Sequence, residues 1–144
     1  MLDLQFVLKK TSNYILAGHN SLELNSLYLK LDKDLSLLAD DCLKDNSELQ
    51  TIYVKCMFDF MLIACKQKWQ HLVIVEIPDL NNNFPSVARM FLTLKEFILN
   101  SLFKHRQQDF LHAWRLFLAI GINKYRLNQD ELQKSFEKFV SKLT

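Results

Sequence analysis

The stretch DFLHAWRLFLAIGI, residues Asp109 to Ile122, carries the main information about the fold. Ten of its fourteen residues are apolar, and a helix over them leaves only a thin polar stripe through Gln108, His112 and Arg115. A helix that is apolar on almost all sides is surrounded by other elements. A bilayer core requires about 20 apolar residues, and this run is shorter and carries Arg115 in its middle. The stretch therefore predicts a buried central helix at about residues 109–121.

The composition favours an all-α fold. The chain has 144 residues and only 2 glycines and 2 prolines, which leaves few residues for hairpin turns or for a sheet of many strands. Almost half of the residues are hydrophobic, as in ordinary globular proteins. No repeat or linker divides the sequence. We therefore predict a single globular domain over residues 1–144, with six or seven helices packed around the central one.

The spacing of apolar residues predicts where these helices lie. Gly18 is placed as a helix C-cap, Ser47 with Gln50 matches a capping box, and Asn128 with Glu131 forms another cap signal. The segment from Trp69 to Pro85 is ambiguous, because Leu72 to Ile77 could form a strand, and a short helix is favoured. The other predicted helices span 2–17, 22–43, 47–66, 85–104, 109–121 and 128–143.

The helix that begins at Ser47 is also predicted to be buried around most of its girth. Its polar positions Thr51, Lys55, Asp59 and Lys66 fall on one line, and most other positions from 52 to 65 are apolar. Two such helices in one chain indicate a layered globule with an inner pair of helices.

Cysteine usage and the N-terminal sequence bear on location. The chain has three cysteines, an odd number, and all of them lie in apolar helical patterns: Cys42, Cys56 and Cys65. This usage favours a reducing compartment. No apolar signal-peptide core opens the chain. A cytoplasmic or nuclear location is expected, either in the producing cell or in a host cell.

Sequence motifs for catalysis are absent. The chain has no G-x-S-x-G, GxxxxGK, GxGxxG or HExxH motif, so nucleotide binding by a glycine loop is excluded. His105, Asp109 and His112 have the spacing of metal ligands on one helix, but a predicted helix break between Arg106 and Asp109 argues against a metal site. We predict no enzyme activity, no cofactor, no metal and no small-molecule substrate.

The excess of large apolar residues suggests protein binding. Eleven Phe, two Trp and four Tyr exceed what a core of this size needs, and exposed aromatic residues are typical of partner sites. The candidates adjoin the irregular segment and are Trp69, Phe84, Met90 and Phe91; the alternative for each is a place in the core. The sequence thus predicts an interaction module, such as an adaptor, scaffold or chaperone-like subunit, that binds another protein or itself as a homodimer.

Two alternatives remain open. The net charge is −3 over residues 1–83 and +5 over residues 84–144, with eight and ten basic residues against eleven and five acidic ones. A nucleic-acid-associated protein would use the basic half, with candidate polyanion-binding residues Lys104, Arg106, Lys124, Tyr125 and Arg126. The second alternative is a viral or bacterial effector of the compact helical-bundle type, which rests on architecture alone.

Overall fold

The computed structural model describes residues 1–18, 22–40, 45–77 and 86–143, which form helices without any strand among them. A 3-10 turn at Gln70–Leu72 follows the third helix, and a π-helical turn at Ile120–Lys124 continues the fifth. The predicted all-α fold is confirmed. Within these ranges lie six α-helices: α1 (Leu4–Leu16), α2 (Leu24–Ala39), α3 (Asn46–Gln67), α4 (Val87–Phe103), α5 (Gln107–Ala119) and α6 (Gln129–Leu143).

Two of the three predicted helix-end signals act as expected. Gly18 has φ 81° after α1, and its N–H donates to the Ile15 carbonyl at 2.9 Å. Asn128 accepts the Glu131 N–H at 3.0 Å before α6. The capping box at Ser47 is wrong, because α3 already begins at Asn46 and the Asp45 carboxylate accepts the Ser47 N–H at 2.9 Å. Gln50 does not reach back to the start of the helix, because its side-chain amide donates to the Ser135 hydroxyl on α6.

In its described part, the ambiguous segment after α3 contains a short 3-10 helix and no strand. Lys68 has φ 60° and ends α3, and the Trp69 N–H donates to the Ala64 carbonyl at 2.7 Å. One 3-10 turn follows, and residues 74–77 have no regular structure. Residues 78–85, which include Pro78 and Pro85, lie outside the described residues.

The most continuously buried helix is α3. Every residue from Cys56 to Ala64 is buried, including Asp59. Helix α5 buries Phe110, Trp114 and Phe117 but leaves His112 and Arg115 exposed. The prediction that α5 is the central helix is therefore not confirmed in that form.

A close contact joins α3 to the end of α5. The Tyr53 ring stacks on Phe117 with centroids 4.2 Å apart, and its hydroxyl donates to the Phe117 carbonyl at 2.9 Å. A Cβ on Gly121 would lie only 2.2 Å from the Tyr53 ring. Glycine at this position is what allows the ring to lie against the π-helical turn.

Helix α2 packs on both α3 and α4, and it runs antiparallel to α4. Tyr28, early in α2, bonds Ser101, late in α4, with their hydroxyls 3.0 Å apart. Asp32 lies one turn later and contacts Lys95 at 3.2 Å. Within the described ranges, no helix is long and apolar enough to cross a membrane.

Candidate interaction surface

The predicted partner-binding residues lie in the core. Trp69, Met90 and Phe91 are all buried, and the Trp69 ring packs between His105 and Phe110 with centroids 5.3 and 5.4 Å away. The expectation that these three side chains form an exposed patch is wrong, because the segment around Trp69 packs inward onto α5. The fourth candidate, Phe84, lies outside the described residues.

Exposed apolar side chains are instead found on the outer face of α4. Leu92 is 63% exposed, Leu99 48% and Phe103 77%. With the exposed Ala88, they are spaced by four, seven and four residues, so they lie on one side of the helix. This side is opposite to Met90, Leu94 and other α4 residues that face the core.

The neighbouring helix α2 extends this apolar face. Leu29 is 72% exposed and precedes Ser36 by seven residues, so both lie on the same side of α2. Ser36 accepts a hydrogen bond from Lys95 of α4. The outer side of α2 is therefore next to that of α4. We call the face formed by Leu29, Ala88, Leu92, Leu99 and Phe103 the α2/α4 surface.

A groove of about 660 Å³ runs along one end of the α2/α4 surface. It lies between the end of α2 and the beginning of α4, and Tyr125 also lines it. The Tyr125 hydroxyl is 3.4 Å from the Leu38 carbonyl. Small or apolar side chains predominate in the lining, which comprises Ser36, Ala39, Asp40, Val87, Ala88, Phe91, Leu92, Lys95 and Tyr125.

A cluster of buried charges lies between α2 and α3. The carboxylates of Asp34 and Asp59 are almost fully buried. Lys30 contacts both, with its Nζ 2.5 Å from Asp59 Oδ1 and 3.6 Å from Asp34 Oδ2. Lys55 Nζ is 3.7 Å from Asp34 Oδ1. The two ammonium groups thus flank a pair of carboxyl groups on adjacent helices.

The surroundings of the Asp59 carboxyl disfavour its ionised form. Asp34 Oδ1 and Oδ2 and Asp59 Oδ2 are buried and accept no hydrogen bond from an N–H or O–H of the described residues. Burial, first, and then the neighbouring Asp34 carboxyl raise the pKa of Asp59 to about 8, although Lys30 opposes both. Near neutral pH, Asp59 therefore favours its protonated, neutral form.

The pKa of the groups beside the pair also shifts. Burial lowers the pKa of Lys30, but the hydrogen bond and charge of Asp59 outweigh burial and raise it overall. Burial, followed by the charges of Asp59 and Asp34, raises the pKa of the Cys56 thiol. Cys56 is thus held as a neutral thiol in the core, as the sequence predicted.

The Cys65 thiol lies between α3 and α1. The pKa of the Cys65 thiol is raised by burial, and its sulfur lies 3.9 Å from the Ser12 hydroxyl. Cys42 lies outside the described residues. The described cysteines, Cys56 and Cys65, are free thiols.

The structure separates the two halves of the predicted polyanion-binding set. Lys104 and Arg106 precede α5, whereas Lys124 and Arg126 follow it, and a helix of 13 residues is about 20 Å long. Arg106 lies 4.0 Å from the Asp109 carboxylate, and Tyr125 faces the groove. The set therefore does not form one patch.

The three candidate metal ligands, His105, Asp109 and His112, do not form a metal-binding group. His105 has φ 50° in the link between α4 and α5, while Asp109 and His112 lie within α5. The His112 ring packs 5.3 Å from the Phe97 ring. Among the described residues, no group of three or more His, Cys, Asp or Glu could hold a metal ion.

The basic link after α5 offers a prediction about stability and charge. In a variant with Lys124→Glu and Arg126→Glu, we expect the free energy of unfolding to change by less than about 0.5 kcal/mol, because Arg126 is exposed and Lys124 half-buried with no ion pair among the described residues. Urea unfolding followed by circular dichroism measures this. A weaker binding of the variant to single-stranded oligonucleotides than wild type would support the nucleic-acid alternative, and equal binding would count against it.

Comparison of the chain with protein-family models, with curated proteins and with solved structures gave no match.

Proposed function

We propose that this protein is a non-enzymatic interaction module that binds a protein partner, or itself, through the α2/α4 surface. The observation that carries the proposal is the line of exposed apolar side chains on α4, from Leu92 to Phe103, next to Leu29 of α2. The sequence suggested an apolar binding surface, and the structure offers different residues for it than those first considered.

The arrangement of these side chains supports binding. Single exposed apolar residues are ordinary on protein surfaces, whereas aligned ones that border a groove are typical of protein-binding sites. A groove between two antiparallel helices, lined by Ala39, Ala88 and Phe91, has the form that receives an apolar side chain or the apolar face of a helix. Phe103 is the aromatic residue on this face, and aromatic residues often dominate binding energy.

The test is capture of partners from a lysate of the natural cell. Phe103→Asp is expected to reduce retention of a specific protein by about tenfold or more, because it replaces an exposed aromatic ring of the apolar face by a charge that binding would desolvate. Leu16→Asp is the matched control, since Leu16 is 83% exposed but lies on α1. Retained proteins are identified by mass spectrometry, with and without nuclease.

Either of two results would overturn the proposal. Equal retention by wild type, Phe103→Asp and Leu16→Asp would show that the α2/α4 surface binds nothing. Loss of all retained material after nuclease treatment would instead favour the nucleic-acid alternative.

A further inference from the structure

We propose that the partner of the α2/α4 surface is a second copy of this chain, packed antiparallel through α4 about a two-fold axis that passes between Lys95 and Glu96. The inference rests on the proposed function, because it uses the same surface. It adds the identity of the partner and the geometry of the complex.

The exposed residues of α4 are placed symmetrically about this axis. Leu92 and Leu99 lie 3.5 residues on either side of the midpoint between Lys95 and Glu96, and Ala88 and Phe103 lie 7.5 residues on either side. At 1.5 Å per residue, these offsets are about 5 and 11 Å along the helix. An antiparallel pair of α4 helices therefore places Leu92 of each copy opposite Leu99 of the other. It also places each Phe103 opposite Ala88.

The sizes of the facing residues are complementary. Phe103 is large and 77% exposed, and it would face Ala88, the smallest side chain of the stripe. Ala88 borders the groove of about 660 Å³, so the ring of one copy has a space to enter on the other. A two-fold interface makes this contact twice, because the same patch is used by both copies.

The charges near the axis distinguish an antiparallel pair of α4 helices from a parallel one. Lys95 is paired with Asp32 of its own chain at 3.2 Å, so its charge is already compensated. Glu96 is exposed beside the stripe, and the antiparallel axis brings it close to Glu96 of the other copy. Like charges at this distance oppose association. In a parallel pair, Glu96 would instead approach Lys95 of the other copy.

The area available matches a weak, reversible dimer. Helices of 16 and 17 residues are about 25 Å long, and two side by side cover a width of about 20 Å, which gives a face of roughly 500 Å². The smaller specific interfaces bury about 600 Å² on each partner. The face is thus slightly smaller than this limit, which is compatible only with weak association. Association is therefore expected at micromolar or higher concentration.

Sedimentation velocity and equilibrium from 5 to 500 µM test the dimer. Wild type and Leu16→Asp are expected to form dimers over this range, whereas Phe103→Asp is expected to remain monomeric with at least tenfold weaker association. Circular dichroism checks that Phe103→Asp remains folded, as its exposure predicts. A wild-type chain that stays monomeric at 500 µM would overturn the inference.

The orientation has its own test. Glu96→Gln removes the like-charge pair, so the antiparallel dimer is expected to tighten, with a larger gain at low salt. Unchanged or weaker association of Glu96→Gln would overturn the antiparallel axis.

The two proposals can fail separately. A monomeric wild type that still captures a protein in a manner sensitive to Phe103→Asp would overturn the dimer and retain the interaction module. If Phe103→Asp changed neither association nor capture, both proposals would fail.

Discussion

Replacing Trp114 by alanine is expected to lower the free energy of unfolding by about 3–5 kcal/mol, which is the usual effect of removing a large aromatic residue from a core. Trp114 is fully buried, and its ring lies 5.1 Å from Phe60 and 5.6 Å from Phe117 between centroids. Its indole N–H donates to the Val73 carbonyl at 2.9 Å. The substitution therefore removes packing between α5 and α3 and also a bond to the segment after α3. Urea unfolding followed by circular dichroism measures the loss.

Two further variants separate the contributions at Trp114. Trp114→Phe keeps an aromatic ring but leaves the buried Val73 carbonyl without its donor, so a smaller loss of about 1–3 kcal/mol is expected from that bond. Phe103→Ala removes an exposed ring and is expected to change stability by less than about 0.5 kcal/mol. A Trp114→Ala protein as stable as wild type would contradict the placement of this ring in the core.

The helices were predictable from sequence because their apolar residues recur at spacings of three and four and because turn residues are scarce. The outer face of α4 was not predictable in the same way. The sequence places Phe97, Ile98, Leu102 and Phe103 on what reads as one apolar side, yet Ile98 is buried and Phe103 is exposed. When a helix has apolar residues over more than half of its circumference, spacing alone does not show which part faces the core.

The partner-binding candidates illustrate a second limit. The sequence predicts an exposed, partner-binding Trp69 because this residue adjoins an irregular segment, and irregular segments usually lie at the surface. Here the segment packs inward, since Trp69 and Val73 are buried and Val73 accepts the Trp114 hydrogen bond. That bond links residues 41 positions apart, and no local pattern in the sequence signals it.

The position of Asp34 in the apolar pattern of α2 indicates the buried charge cluster. Leu27, Leu31, Asp34 and Leu38 are spaced by four, three and four residues, so Asp34 occupies a position on the buried side of α2. The sequence places Asp59 on the polar line of α3, together with Lys55. A carboxylate on that line is buried because α2 covers it and Lys30 of α2 reaches it.

Removing Lys30 is the second substitution with a large expected effect. Lys30→Met keeps the aliphatic length but removes the ammonium group that contacts both Asp34 and Asp59, and among the described residues Lys55 remains as the cation that contacts Asp34. Breaking a fully buried ion pair typically destabilises a protein by about 3–5 kcal/mol. A smaller loss of about 1–3 kcal/mol is expected here, because the Lys30 side chain is 34% exposed and Asp59 can take up a proton. The loss is expected at pH 8, measured by urea unfolding. Adding Asp59→Asn to Lys30→Met removes one of the two carboxylates and should restore part of the stability. If the double variant were no more stable than Lys30→Met, the loss would come from side-chain packing instead.

The raised pKa of Asp59 leads to a separate prediction about how stability depends on pH. The pKa of Asp59 is raised to about 8 in the folded protein, whereas an unfolded Asp has a pKa near 3.9. Between these values the folded state holds a proton that the unfolded state has lost, so the contribution of Asp59 to stability falls as pH rises from about 4 to about 8. Asparagine has no such proton, so Asp59→Asn is expected to gain stability relative to wild type from pH 5 to pH 9. The difference between the two unfolding free energies isolates this group, and a difference that stays constant with pH would show that Asp59 is ionised throughout, with its charge fully compensated by Lys30.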